Sequence, residues 1–114
     1  YFLHTCSIPA GRERQLYATK NPKRLGTYVV TYEDGKELKI PLDYQANIND
    51  WNCQRGPAQA IGLWEGKTAG GALVTLGVVQ WDNPRPEVTI RSIDFVSAMS
   101  TARPVLLAIT AAGE

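Results

Sequence analysis

Residues 26–42 constrain the fold more than any other stretch. Two runs that carry β-branched and aromatic residues between them, 26–32 and 36–42, flank an Asp34-Gly35 turn. That arrangement is a strong short-range signal for a β-hairpin. Two registers compete. A two-residue Asp34-Gly35 loop pairs Val30 with Lys39 and Tyr32 with Glu37. A three-residue Glu33-Asp34-Gly35 loop pairs Val30 with Leu38 and Tyr28 with Ile40. A one-residue slip exchanges the two faces of a strand, so the apolar match decides between them. The second register gathers Tyr28, Val30, Leu38 and Ile40 on one buried face. It also puts Gly35 at the left-handed position of a type I turn with a bulge, where glycine carries no steric penalty.

Further strands are expected at short intervals. Residues 58–64 are apolar and run into Glu65-Gly66-Lys67. Residues 73–81 alternate, with Val74, Leu76 and Val78 on one face and Trp81 on the other. The Asp82-Asn83-Pro84-Arg85-Pro86 stretch stops that strand, because proline removes backbone donors. Val88, Ile90, Ile93 and Phe95 resume the pattern, with a slip near Arg91-Ser92 that reads as a bulge. A last strand covers residues 105–110. No segment sustains a helical period over ten residues, and no repeat is present. Many short strands with glycine and proline turns indicate an all-β fold, an antiparallel β-sandwich of jelly-roll type.

At 114 residues the chain fits one domain, 1–114, large enough to bury roughly two thirds of its unfolded surface. No apolar run approaches the ~20 residues of a membrane-spanning helix, so no membrane partner is expected. A formal net charge of +1 exerts no global pull toward nucleic acid. The exception is local. Residues 7–25 read as a basic loop insertion with Arg12, Arg14, Lys20, Lys23 and Arg24 against Glu13, net +4. Tyr17 is its only aromatic, which is poor for stacking on nucleic-acid bases. An anionic ligand is the alternative to a merely solvated loop. The chain opens directly on a strand-like run without an initiator Met, so a longer parent protein is expected.

Little in the chain suggests catalysis. The single histidine, His4, sits in an apolar strand context and reads as structural. The acid pairs Glu33/Asp34 and Asp82/Glu87 occupy turns, and no nucleophile elbow, phosphate loop or metalloprotease string is present. No enzyme activity is expected. Cys6 and Cys53 lack the neighbours of a zinc site and read as free thiols, with a disulfide as the alternative. Asn47, Asn49 and Asp50 supply oxygens suited to calcium, yet fall short of the six to eight a calcium ion takes. No cofactor is expected, a structural calcium being the open alternative.

Several strings, taken in order, resemble one family: YFLHTC at 1–6, TYVVTYEDGKELKIPL at 27–42, NINDW at 47–51, WDNPRP at 81–86, and SIDF at 92–95 followed by PVLLAIT at 104–110. Together they are similar to the galactose-binding-like, jelly-roll accessory modules of bacterial polysaccharide-degrading proteins. The resemblance implies non-catalytic carbohydrate binding beside a parent-chain catalytic domain, in a secreted, periplasmic or cell-surface setting. The alternative is a structural or protein-interaction sandwich that braces a neighbouring domain. Family modules commonly carry strands ahead of the YFLHT-like segment, and their connection at 7–25 tends to be shorter.

A pyranose offers an apolar face and a rim of hydroxyls, which an aromatic plate and a few planar polar groups can match. Trp51 lies among Asn49, Asp50, Asn52 and Arg55, and Trp81 stands beside Asn83 and Arg85. These eight residues are the expected carbohydrate site. Trp64 is weighed as a third plate, and core packing is the ordinary fate of all three rings. Basic residues folded over such a site would favour acidic glycans.

Overall fold

The computed structural model describes residues 1–8, 24–53, 56–100 and 102–111. Most of the basic stretch, and Arg55, fall outside them. Seven strands occur among the described residues: β1 (Phe2–Ser7), β2 (Arg24–Tyr32), β3 (Glu37–Asp43), β4 (Ala60–Lys67), β5 (Leu73–Val79), β6 (Ile90–Ser97) and β7 (Arg103–Ile109). They form two antiparallel sheets, ordered β4-β5-β1-β7 and β3-β2-β6. The chain is all-β among the described residues, with a core between the sheets in the manner of a β-sandwich.

The hairpin has the register that its apolar residues favour. Tyr28 pairs with Ile40 and Val30 with Leu38. Gly35 sits at φ 85° and donates its N–H to the Tyr32 carbonyl at 2.9 Å. β6 lies on the other flank of β2, with Phe95 opposite Tyr28 and Ile93 opposite Val30. The register shifts at Thr31/Tyr32, which leaves Arg91 as the extra residue at the expected slip. Gly26 has no room for a side chain, because a Cβ there would stand 2.7 Å from the Val96 carbonyl oxygen.

Phe2 and Cys6 of β1 meet Leu25 and Tyr28 of β2 and Leu42 of β3, and Ile48 and Ala102 close the ends. Phe2 stacks on Tyr28 with ring centroids 4.4 Å apart, and Phe95 leans on the same ring at 5.2 Å. Each such side chain contributes about 1.5–3 kcal/mol on burial.

One polar group crosses this core. His4, on the same face as Phe2 and Cys6, is buried between the Tyr28 hydroxyl, 2.8 Å from Nδ1, and the Asn47 carbonyl, 2.5 Å from Nε2. A carbonyl oxygen only accepts, so Nε2 carries the proton and Nδ1 accepts from Tyr28. Burial pushes the His4 pKa below its ordinary value, with the Asn47 hydrogen bond opposing the shift. Burial likewise pushes the Tyr28 hydroxyl up. His4 therefore ties β1 both to the opposite sheet and to the loop that follows β3.

Candidate functional site

That loop determines where Trp51 goes. Asn47 braces it: Oδ1 accepts from the Asp43 N–H at 2.8 Å, and Nδ2 donates to the Pro41 carbonyl at 2.7 Å. Residues 49–51 then run beside the end of β1. The Cys6 N–H donates to the Asn49 carbonyl, and the Trp51 N–H donates to the Cys6 carbonyl, each at 3.0 Å. On its far side the Trp51 carbonyl accepts from the Thr75 N–H at 2.8 Å. The segment is thus spliced between β1 and β5 as a short parallel strand. Asp50 forms a bridge with Cys6, and the alternation of side chains sends Trp51 to the outer face of the four-stranded sheet.

A groove enclosing about 460 Å³ lies on that outer face. Leu3 and Thr5 of β1 and Val74 and Leu76 of β5 line its floor. Val105 and Leu107 of β7 bound one side, and Trp51 and Trp64 both border it. Trp64 of β4 pairs with Leu76. Its ring lies over Gly66, where any Cβ would collide with the indole. Glycine at this position gives the ring its seat. Trp64 is 51% exposed, and Leu73, Val105 and Leu107 are also exposed.

The expected site residues divide between two places. Trp51, Asn49, Asp50 and Asn52 stand together at the groove's loop. Asp50 is buried with both oxygens engaged, Oδ2 accepting from the Ile8 N–H and Oδ1 from the Asn52 N–H. Asn49 is half-buried, with its carbonyl accepting from the Thr5 hydroxyl as well. Asn52 is exposed beside Trp51, and Arg55 lies outside the described residues.

Trp81, Asn83 and Arg85 are elsewhere. Trp81 packs half-buried against the core. Asn83 Oδ1 accepts from the Tyr32 hydroxyl at 2.6 Å and from the Arg85 N–H at 3.0 Å. The Arg85 guanidinium lies over the Tyr32 ring, 4.5 Å from its centroid, and forms an ion pair with Asp34 at the hairpin tip. That pairing holds the Asp34 carboxyl down at about 2 and raises Arg85. This cluster fastens the 81–86 loop to the β2–β3 turn and spends its polar groups in doing so.

Three other features settle into the fold. Cys6 and Cys53 are unpaired, the first buried and the second exposed. Burial pushes the Cys6 thiol up to about 12, with Asp50 and Cys53 adding to the shift. The Asn47 and Asp50 oxygens considered for calcium accept from backbone N–H groups. No cluster of three or more His, Cys, Asp or Glu suited to a metal ion occurs among the described residues. Arg24, from the basic stretch, forms an ion pair with Asp43 at 2.5 Å.

The groove itself was hidden in the sequence. Val74 and Leu76 lie on the outer face, Leu76 buried beneath the groove, while Thr75, Gly77 and Val79 lie on the opposite face and are buried. The more apolar face of β5 is therefore not the one between the sheets. The one sequence cue is Gly66, two residues after Trp64 and so on the same face, leaving a space a ring can fill. Comparison with protein-family models, with curated proteins and with solved structures finds no match for this chain.

Proposed function

We propose that this chain is a non-catalytic carbohydrate-binding module, a jelly-roll sandwich whose ligand lies along the Trp51–Trp64 groove. The observation that carries the reading is the placement of two indoles from distant parts of the sequence on one open groove. Stacking a pyranose face on indole removes apolar surface on both sides from water and demands no chemical step. Asn52, exposed beside Trp51, supplies a planar polar group for a sugar hydroxyl. The setting follows the sequence resemblance: an accessory module of a bacterial polysaccharide-degrading protein, outside the cytoplasm.

The described lining of the groove has no charged side chain. A preference for acidic glycans would have to come from basic residues beyond that lining, such as those between 7 and 25. Binding to such a glycan would weaken as salt rises, because exposed charge pairs are screened. Binding to a neutral glycan through the groove alone would be indifferent to salt.

Retardation in native gels cast with a panel of neutral and acidic polysaccharides tests the proposal. Retardation by at least one polymer is expected, relieved in Trp64→Ala and Trp51→Ala while the fold persists. No retardation across the panel would overturn it. A second reading, docking against a neighbouring domain, is favoured by the exposed apolar side chains of Trp64, Val105 and Leu107 around the groove. A sugar-silent panel would move the weight there.

A further inference from the structure

We propose that the groove selects acetylated glycans, seating the methyl group of an O-acetyl or N-acetyl substituent on its floor beside the two indoles. The inference rests on the carbohydrate reading above and names the sugars that this groove accepts. It starts from the chemistry of the lining. Among the described lining residues none is charged, and no polar atom is exposed on the surface they present. Thr5 and Thr68 carry the only side-chain hydroxyls there, and both are engaged inside the fold. The Thr5 hydroxyl donates to the Asn49 carbonyl at 3.0 Å, and Thr68 Oγ1 accepts from the Ala72 N–H at 3.1 Å.

A plain hexose matches this surface only through its apolar face. Hydroxyls ring the sugar's edge, and one that turns toward the floor leaves water without gaining a partner, which is unfavourable. The groove encloses about 460 Å³, within the range of small-molecule pockets. A substituent can therefore enter it while the ring lies across an indole.

Acetylation changes the match at a single position. An O-acetyl ester replaces a hydroxyl donor with a group that ends in a methyl. An N-acetyl group turns an ammonium into a neutral amide that ends in the same methyl. That methyl suits a floor of Leu3, Val74 and Leu76. The charge argument runs the same way, because an ammonium would meet no carboxylate in the described lining. The hydroxyls that remain point outward to water and to Asn52, exposed beside Trp51.

Isothermal titration calorimetry with matched ligand pairs tests the proposal. One pair is acetylated xylan and the same polymer after alkaline deacetylation. The other is chitin oligosaccharides and their glucosamine counterparts. Within each pair the backbone is shared and only the acetyl group differs, as an ester in the first and an amide in the second. Burying one methyl group is worth about fourfold in affinity, and sparing a hydroxyl or an ammonium from desolvation adds to that. The acetylated member of at least one pair should therefore bind about tenfold tighter or more, and Trp64→Ala should abolish that binding. Val74→Thr puts a hydroxyl on the floor with little change of shape, and should narrow the preference severalfold while binding persists. If that variant fails to fold, the matched pairs decide alone. Equal affinities within both pairs, with binding still lost in Trp64→Ala, would overturn the acetyl inference and leave the carbohydrate reading standing. An acetyl preference that survives Trp64→Ala would overturn it as well, since the selecting surface would lie elsewhere. No binding to any of the four ligands would overturn it too, and silence across the wider polysaccharide panel would overturn the reading beneath it.

Discussion

The loops that carry Trp51 and Trp81 look alike in sequence and differ in structure. Each sets a tryptophan beside asparagine, aspartate and arginine. The Trp81 loop turns its ring toward the core and spends its polar groups on the hairpin tip, through Tyr32, Asn83, Arg85 and Asp34. The Trp51 loop inserts as a short strand between β1 and β5, and side-chain alternation sends its ring outward. Local composition is similar, yet Trp51 takes its face from the ladder it joins, whereas Trp81 lies past the end of β5 and packs back against the core. A tryptophan among polar residues therefore announces a binding plate only once the backbone and packing around it are known.

The sharpest way to break this contrast is to truncate the rings. Trp81→Ala should cost about 3 kcal/mol of stability, in the range of large core truncations, and leave ligand binding in proportion to the folded fraction. Trp64→Ala should leave stability within about 1 kcal/mol, as its ring is half in solvent, and abolish binding. Urea denaturation of both variants reads the difference. Equal losses would mean that the two rings do the same job.

Next in size is Tyr32→Phe. Its hydroxyl donates to Asn83 at 2.6 Å, and its loss should cost about 1 kcal/mol, the value of one hydrogen bond, since the Asn83 oxygen keeps the Arg85 N–H. Urea midpoints measure this too, and binding should be untouched. Impaired binding would show that the Trp81 loop acts on the ligand after all.

The third effect runs through His4, which holds the Asn47 carbonyl at the base of the Trp51 loop. Its folded pKa lies below the ordinary 6.5, so the native state favours the neutral ring. As pH falls below 6.5 the unfolded chain takes up the proton first, and stability declines by at most about 1.4 kcal/mol per pH unit. The loss continues until the folded pKa is passed. Thermal melts of His4→Gln should be flatter across that window. An unchanged pH profile would contradict the assignment.

Smallest is Gly66→Ala, whose added methyl would strike the Trp64 ring. The ring must leave its seat, so binding should weaken severalfold while the melting temperature hardly moves. Near-ultraviolet dichroism should register the displacement.

Much of the fold was legible in the sequence. The hairpin register followed from matching Tyr28 and Val30 to Ile40 and Leu38, and the bulge at Arg91 from a break in alternation. The candidate site was legible only in part. Trp51 could be singled out, whereas Val105, Leu107, Val74 and Leu76 join it only through the order β4-β5-β1-β7, which depends on long-range pairing. Asp50 and Asn83 look like sugar-binding groups in one dimension and are backbone and hydroxyl partners in three. Short polar side chains satisfy nearby backbone as readily as they meet ligands.

A tryptophan emission titration tests the central claim most directly. With Trp81→Phe as background, the signal comes from Trp51 and Trp64 alone, and the titrants are the same soluble neutral and acidic polysaccharides. The groove reading predicts a saturable change with at least one polymer that disappears when Trp64→Ala is added. A response that survives the loss of Trp64, or emission that stays constant through every titration, would contradict it.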